Sequence, residues 1–259
     1  MPIVREIENA LYELAPRELA MNGDNVGLLV GDARKEVHRV LVALDVTGEV
    51  VEEADKAGAE LIVAHHPVMN SSWHPVQNIL EENLQGGVLR GLIRGDISAI
   101  CMHTNLDAAK GGVNDTLAQR LGLEEVEPFE SEGIGRMGIL PAAMSQTDFL
   151  ALVRKRLRPN GIRYVKTRKQ IRRVAVGGGA CGDYFRIAAE KGCDAFVTSD
   201  VKYHQFLDAD ALGFSLIDAG HYPTEDVVCT ALVRFLLEKV PDLVVQKSIV
   251  HREVIQYYV

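Results

Sequence analysis

Six residues of this 259-residue chain have side chains and spacings suited to holding metal ions: His65, His66, His103, Asp107, His221 and Glu225. His65 and His66 are adjacent, follow the apolar run Leu61-Ile62-Val63-Ala64 and precede Pro67. His103-x-x-x-Asp107 and His221-x-x-x-Glu225 share one spacing, and each comes just after an apolar run, 97–102 and 214–217. Imidazole with carboxylate is the donor mix of zinc, iron, manganese or nickel, whereas calcium prefers oxygen alone. Side chains alternate along a strand, so two adjacent histidines cannot serve one point unless the strand bends. Pro67 has no N–H and disfavours the helical region at His66, which ends regular pairing there. Two diverging histidines with at least two carboxylates fit a pair of ions better than one, and a carboxylate such as Glu225 is suited to bridge ions about 3.5–4 Å apart.

Plainer readings compete with this one. A His-x-x-x-Asp inside a helix is a surface i,i+4 pair, and Asp107 or Thr224 could cap a following helix. His38, His74 and His251 lie away from the pattern and are read as structural. His204, in Ser199-Asp200-Val201-Lys202-Tyr203-His204, sits just past a strand and is read as a candidate lining residue. Gly177-Gly178-Gly179 lacks dinucleotide or P-loop spacing, so a tight strand-to-helix turn is favoured over a phosphate cradle.

Hydrophobic spacing then supplies the elements that must position these groups. Val4, Ile7, Leu11 and Leu14 define an amphipathic helix ending near Pro16. A strand over 28–30 and another over 37–44 follow, the second ending at Asp45. Thr47 caps a helix over 48–57 that stops at Gly58, and the strand carrying His65 comes next. This β-α-β unit predicts two parallel strands, with Asp45 and His65-His66 at one sheet edge, where α/β proteins bind ligands. A helix over 79–94, a strand over 97–102 and a helix through Leu121 are expected after it. Residues 124–135 read as a connection, 136–140 as a strand, Thr147 with Asp148 as the cap of a helix, and 159–161 as a turn.

The chain then repeats itself at an offset of 134. His38-Arg39-Val40-Leu41-Val42 aligns with Arg172-Arg173-Val174-Ala175-Val176, Lys56-Ala57-Gly58 with Glu190-Lys191-Gly192, and His65-His66 with Ser199-Asp200. The matched His103…Asp107 and His221…Glu225 follow in the same order. The expected fold class is α/β, built of two related halves, 1–127 and 128–259, packed as one compact unit with a dinuclear metal site in the cleft between them.

Composition removes other function classes. A formal net charge of −8 argues against a general nucleic-acid grip, which needs a basic surface. Cys101, Cys181, Cys193 and Cys229 are far apart, lack any C-x-x-C and sit among apolar or small residues, so they read as reduced core residues. The N-terminus has no secretory pattern and no apolar run is long enough to span a membrane, so a cytoplasmic location is expected.

The motif order resembles one known family. Asp24-Asn25-Val26-Gly27-Leu28, Leu44-Asp45, His65-His66-Pro67, His103-Thr104-Asn105-Leu106-Asp107, Ser199-Asp200-Val201-Lys202-Tyr203-His204 and Asp218-Ala219-Gly220-His221-Tyr222-Pro223-Thr224-Glu225 look like the Nif-three-like dinuclear-metal proteins, whose bacterial members are often labelled GTP cyclohydrolase 1 type 2 homologs. The resemblance implies metal ligation of two divalent transition-metal ions per chain by His65, His66, Asp107, His221 and Glu225, with Glu225 bridging and His103 beside the site as the catalytic candidate. It also implies a toroidal homohexamer, and the span from Pro128 to Arg172 is too short for the inserted domain that some members carry. Gly23 departs from the Trp that usually precedes the Asp-Asn-x-Gly-Leu motif. The expected function is a dinuclear metal-dependent hydrolase acting on a small molecule such as a nucleotide, with GTP-cyclohydrolase-type ring opening by a metal-activated water. The alternative is a non-catalytic metal-binding, metal-handling or regulatory scaffold.

Overall fold

A computed structural model describes residues 1–70 and 75–258. The chain divides into two compact units, Met1–Leu106 with Cys229–Arg252, and Asp107–Val228 with Glu253–Val259. In order, its elements are α1 (Val4–Leu14), β1 (Gly27–Val30), β2 (Arg39–Ala43), α2 (Gly48–Ala57), β3 (Leu61–Ala64), α3 (Leu84–Arg94), β4 (Ser98–Cys101), α4 (Thr104–Ala108), α5 (Val113–Leu121), β5 (Glu124–Pro128) and β6 (Arg136–Met144). They continue with α6 (Gln146–Leu157), β7 (Arg163–Tyr164), β8 (Ile171–Val176), α7 (Phe185–Glu190), β9 (Ala195–Thr198), α8 (Tyr203–Ala211), β10 (Ser215–Asp218), α9 (His221–Glu225), α10 (Val227–Lys239) and β11 (Val244–Lys247). Among the described residues no helix is long and apolar enough to cross a membrane.

The first unit holds a five-stranded sheet of order β1-β4-β3-β2-β11, parallel except for β1 against β4. Parallel neighbours need a covering crossover, and α2 supplies the one from β2 to β3. Thr47 Oγ1 accepts the Val50 amide at 3.2 Å to start α2. Gly58, at φ +64°, stops it in the left-handed conformation that glycine adopts without a Cβ penalty. The core on this side of the sheet gathers Leu41, Val50, Ala54, Ile62, Leu89 and Leu92. The third helix starts at Leu84 rather than near Ile79, because Asn83 Oδ1 caps the amides of Gln85 and Gly86.

The second unit holds a six-stranded sheet of order β5-β6-β8-β9-β10-β7. Strand alternation sends Val174, Val176, Ala195 and Val197 into a core with Leu117, Phe149 and Val153, and sends Ala175 and Phe196 to the other face with Phe129, Phe185 and Phe214. Two details differ from the sequence reading. Ser145, not Thr147, caps α6, its hydroxyl accepting the Asp148 amide at 3.2 Å. Residues read as a connection include β5, an exposed acidic edge strand antiparallel to β6. The division expected at 127/128 lies within β5, whereas the units part at Leu106/Asp107 and the segment Cys229–Arg252 returns to the first.

The repeat is visible in both sheets. The order β1-β4-β3-β2 is matched by β7-β10-β9-β8, with β1 and β7 each antiparallel to their neighbour. Register matches too: Val40 faces Leu61 as Val174 faces Ala195, the same positions 134 residues on. Gly58 and Gly192 both adopt positive φ, +64° and +75°.

Candidate metal centre

In the first unit β3 delivers two of the histidines. The β2–β3 ladder runs on past Ala64, with the His66 amide donating to Leu44 O at 2.9 Å, and Pro67 then ends it. The centroids of the His65 and His66 rings are 4.9 Å apart, and that of His103 lies 5.2 and 5.7 Å from them. Ligand atoms of these three residues all lie within 4.8 Å of one another.

Each ring is fixed by an acceptor. His65 Nδ1 donates to Met102 O at 2.8 Å, His66 Nδ1 to Asp45 Oδ1 at 2.7 Å, and His103 Nδ1 to Asp24 Oδ2 at 2.8 Å. A carbonyl or carboxylate can only accept, so Nδ1 carries a proton in each ring. Outer partners of this kind set the tautomer of ligating histidines. Asp24 also accepts from the Thr104 amide (3.1 Å) and hydroxyl (2.6 Å). Burial alone would raise its carboxyl, but these bonds and the His103 ring hold it well below the usual carboxylate range. Asp45 behaves likewise, with burial opposed by hydrogen bonds from His251 and His66.

The second unit places His221 at the start of α9 and Glu225 one turn on. His221 Nε2 is 2.9 Å from Glu225 Oε2, and Nδ1 is 2.6 Å from Asp200 Oδ2. Burial pulls the imidazole down, but the two carboxylates outweigh it and lift His221 to about 11. Without an ion, a proton on Nε2 supplies the positive charge that this carboxylate attracts. Asp200 occupies the repeat position of His66 and holds φ +52°.

Backbone contacts keep Glu225 in place. A Cβ on Gly179, at φ +62°, would overlap Glu225 Oε1 and stand 3.1 Å from His221 Nε2. The amides of the glycine run are committed within the protein: Gly177 to Val197 O at 2.9 Å, Gly178 to Asn114 Oδ1 at 2.7 Å, and Gly179 to Thr224 Oγ1 at 3.1 Å. The run is a tight turn and not a phosphate cradle. Thr224 thus braces that turn from within α9 instead of capping a helix at Glu225. Asp107, on α4, is buried, and it shares with Glu225 the neighbourhood of Cys181, whose thiol is pushed up by burial and then by both carboxylates. The set is nitrogen and oxygen throughout, which suits the borderline divalent ions expected from the sequence.

Other histidines fall elsewhere. His38 is exposed, 3.4 Å from Glu60, and His204 is exposed in the first turn of α8, outside every ligand group among the described residues. His74 lies outside the described residues. His251, read as remote from the pattern, is instead 3.1 Å from Asp45 Oδ2. Asp24, Asp200 and His251 are the partners that residue spacing alone did not assign. Asp45 was legible as a strand end sharing an edge with His66, whereas Asp24 and His103 are 79 residues apart and only folding joins them.

Comparison with known proteins places the chain in a family. The profile of the Duf34/NIF3 (NGG1p interacting factor 3) family matches residues 2–254. A Clostridium perfringens protein named GTP cyclohydrolase 1 type 2 homolog is 36% identical over 229 residues, 86% of each chain. A Methanocaldococcus jannaschii protein of the same name is 33% identical, over 85% of this chain and 89% of its own. The crystal structure of a Bacillus cereus protein related to NIF3 superposes with a TM-score of 0.93 at 26% identity, covering 100% of this chain and 99% of that one. With a family match over nearly its whole length, the chain belongs to the Duf34/NIF3 family.

Proposed function

We propose that this chain is a dinuclear metal-dependent hydrolase. His65, His66, Asp107, His221 and Glu225 would hold two divalent transition-metal ions, with Glu225 bridging. The observation that supports this most is the grouping of donors: ligand atoms of His65, His66 and His103 lie within 4.8 Å of one another, and each of these rings, like that of His221, is fixed by an acceptor at Nδ1. When bound, such ions lower the pKa of water and polarise an electrophile. His103 then serves as the acid–base group. Its Nε2 takes up a proton while Asp24, held ionised and buried, stabilises the imidazolium, and the same proton returns to the leaving atom.

The names of the relatives point to a purine nucleotide, and hydrolytic opening of the GTP ring suits this apparatus. A toroidal homohexamer is part of the proposal. Exposed apolar side chains such as Leu84 (94%), Ile249 (90%) and Val254 (79%) are consistent with further burial by assembly. Sedimentation velocity should then give six times the 28.4 kDa chain.

The deciding experiment has two stages. Elemental analysis of purified or reconstituted protein should find close to two transition-metal ions per chain; none would overturn the metal centre. The loaded protein is then incubated with GTP and a panel of nucleotides and phosphoesters. Formate release from GTP supports ring opening. Two ions without turnover of any compound would favour the metal-handling or scaffold function instead.

A further inference from the structure

We propose that His251, in the segment after β11, is a positioning residue that fixes the metal ligand His66 by clamping Asp45. The inference rests on the metal-centre reading above and extends the site to a residue outside the ligand set. Asp45 follows β2 and uses both of its oxygens: Oδ1 is 2.7 Å from His66 Nδ1, and Oδ2 is 3.1 Å from His251 Nε2. Both imidazoles must donate, since the carboxylate only accepts. The three side chains form a row in which His251 sets Asp45 and Asp45 sets the tautomer and tilt of the ligand His66. His251 and His66 are 10% and 16% exposed, whereas Asp45 is 42% exposed. The half-buried carboxylate is thus held at both oxygens.

The row is not needed to tie down the C-terminal segment. Ser248 N–H extends the β11–β2 pairing to Val42 O at 2.7 Å, Ile249 N–H donates to Glu53 Oε1 at 2.9 Å, and the Ser248 hydroxyl reaches Glu53 Oε2. The His251 amide itself donates to Ser248 Oγ at 3.1 Å. The backbone is anchored at 248, 249 and 251 by these bonds, and the imidazole adds its own to Asp45.

The test compares wild type with H251A, H251F and H251Q as full-length chains. Zn2+ affinity is read by competition with a chromophoric chelator. The metal-free thermal midpoint and the His66 ring 15N shifts at one fixed pH are recorded alongside. Removing a partner of a ligating histidine typically weakens metal binding about 10–100-fold, and one bond further out the lower end, about 10-fold, is expected for one of two ions in H251A. H251Q, whose side-chain N–H can still reach Asp45, should recover most of that loss. The His66 shifts should move from an Nδ1-protonated ring toward a tautomer mixture in H251A. If H251A does not fold, H251F keeps the ring volume without the donor and carries the same expectation. Wild-type affinity for both ions in H251A or H251F, whatever happens to the thermal midpoint, would overturn the positioning role. A wild-type chain that takes up no Zn2+ would instead overturn the metal centre itself, and the inference with it.

Discussion

His221 Nε2 stands 2.9 Å from Glu225 Oε2 while its Nδ1 stands 2.6 Å from Asp200 Oδ2, so one imidazole lies between two carboxylates. Lifted to about 11, it is an imidazolium at neutral pH when no ion is bound. A metal ligand must present a lone pair, so loading has to expel that proton. Titrating metal-free protein with Zn2+ at pH 7.5 in a weakly buffered indicator solution should release close to one proton per chain from this residue, and His221→Gln should lack it. The same shift fixes the sign of a stability effect. His221 is raised on folding, so its contribution is complete below about 6.5 and is lost as pH climbs through about 11. The metal-free thermal midpoint should therefore fall between those values more steeply in wild type than in His221→Gln.

Asp24 shows the opposite sign. Its carboxylate accepts from His103, the Thr104 amide and the Thr104 hydroxyl, and these bonds hold it well below its ordinary value of 3.8 despite burial. The stability it supplies is present above 3.8 and is lost as pH falls toward the folded value. Asp24→Asn weakens three charge-assisted bonds at once and should cost about 1–3 kcal/mol at pH 7 by urea unfolding. The gap to wild type should narrow at pH 3. A gap of equal size at both values would show that packing, and not the charge, is what Asp24 contributes.

Gly179 and Gly58 separate strain from collision. Both have positive φ, +62° and +64°, but a Cβ on Gly58 meets nothing within 4 Å, while one on Gly179 would overlap Glu225 Oε1. Gly58→Ala should therefore cost only the left-handed penalty, about 1–2 kcal/mol. Gly179→Ala carries the same strain and must also displace Glu225, so it should lower metal stoichiometry in elemental analysis where Gly58→Ala does not. Equal metal content in the two variants would remove Gly179 from the support of the site.

Much of this was legible in the chain. Thr47 and Gly58 bracket α2 as cap and stop residues should, and the offset of 134 predicts the matched register of the two sheets. The chemistry-bearing types were legible for the same local reason: His65-His66, His103 and His221 all follow apolar runs that form strands. What was not legible depends on long-range closure. His251 is 206 positions from Asp45, and no pattern within the C-terminal segment marks it. The acidic run at 124–128 reads as a loop because exposed edge strands need no apolar face, and only pairing with β6 makes it a strand. The end of the ladder was legible, because pairing runs to the His66 amide and stops at Pro67, which has no N–H.

The repeat makes a prediction of its own, because it extends to side chains that differ between the halves. Glu60 Oε2 accepts the amides of His38 (3.1 Å) and Arg39 (2.8 Å), and Asp194 Oδ2 accepts those of Arg172 (2.9 Å) and Arg173 (2.8 Å). The carboxylate just ahead of one strand thus gathers two consecutive amides near the start of its neighbour, in both sheets. Removing such an acceptor leaves two amides to water at a strand entrance, so Glu60→Ala and Asp194→Ala should each cost about 1–3 kcal/mol in urea unfolding. Glu60→Asp and Asp194→Glu, which exchange the two side chains, should cost less than the alanine variants because the acceptor survives at a different reach. Burial opposes ionisation of Glu60, but the backbone bonds win and hold it below its ordinary value of 4.5. Its contribution should therefore disappear as pH drops below that value, and the Glu60→Ala deficit should shrink with it. Losses under about 0.5 kcal/mol for both alanine variants at pH 7 would place these bonds among the ordinary surface contacts and leave strand pairing alone to set the shared register.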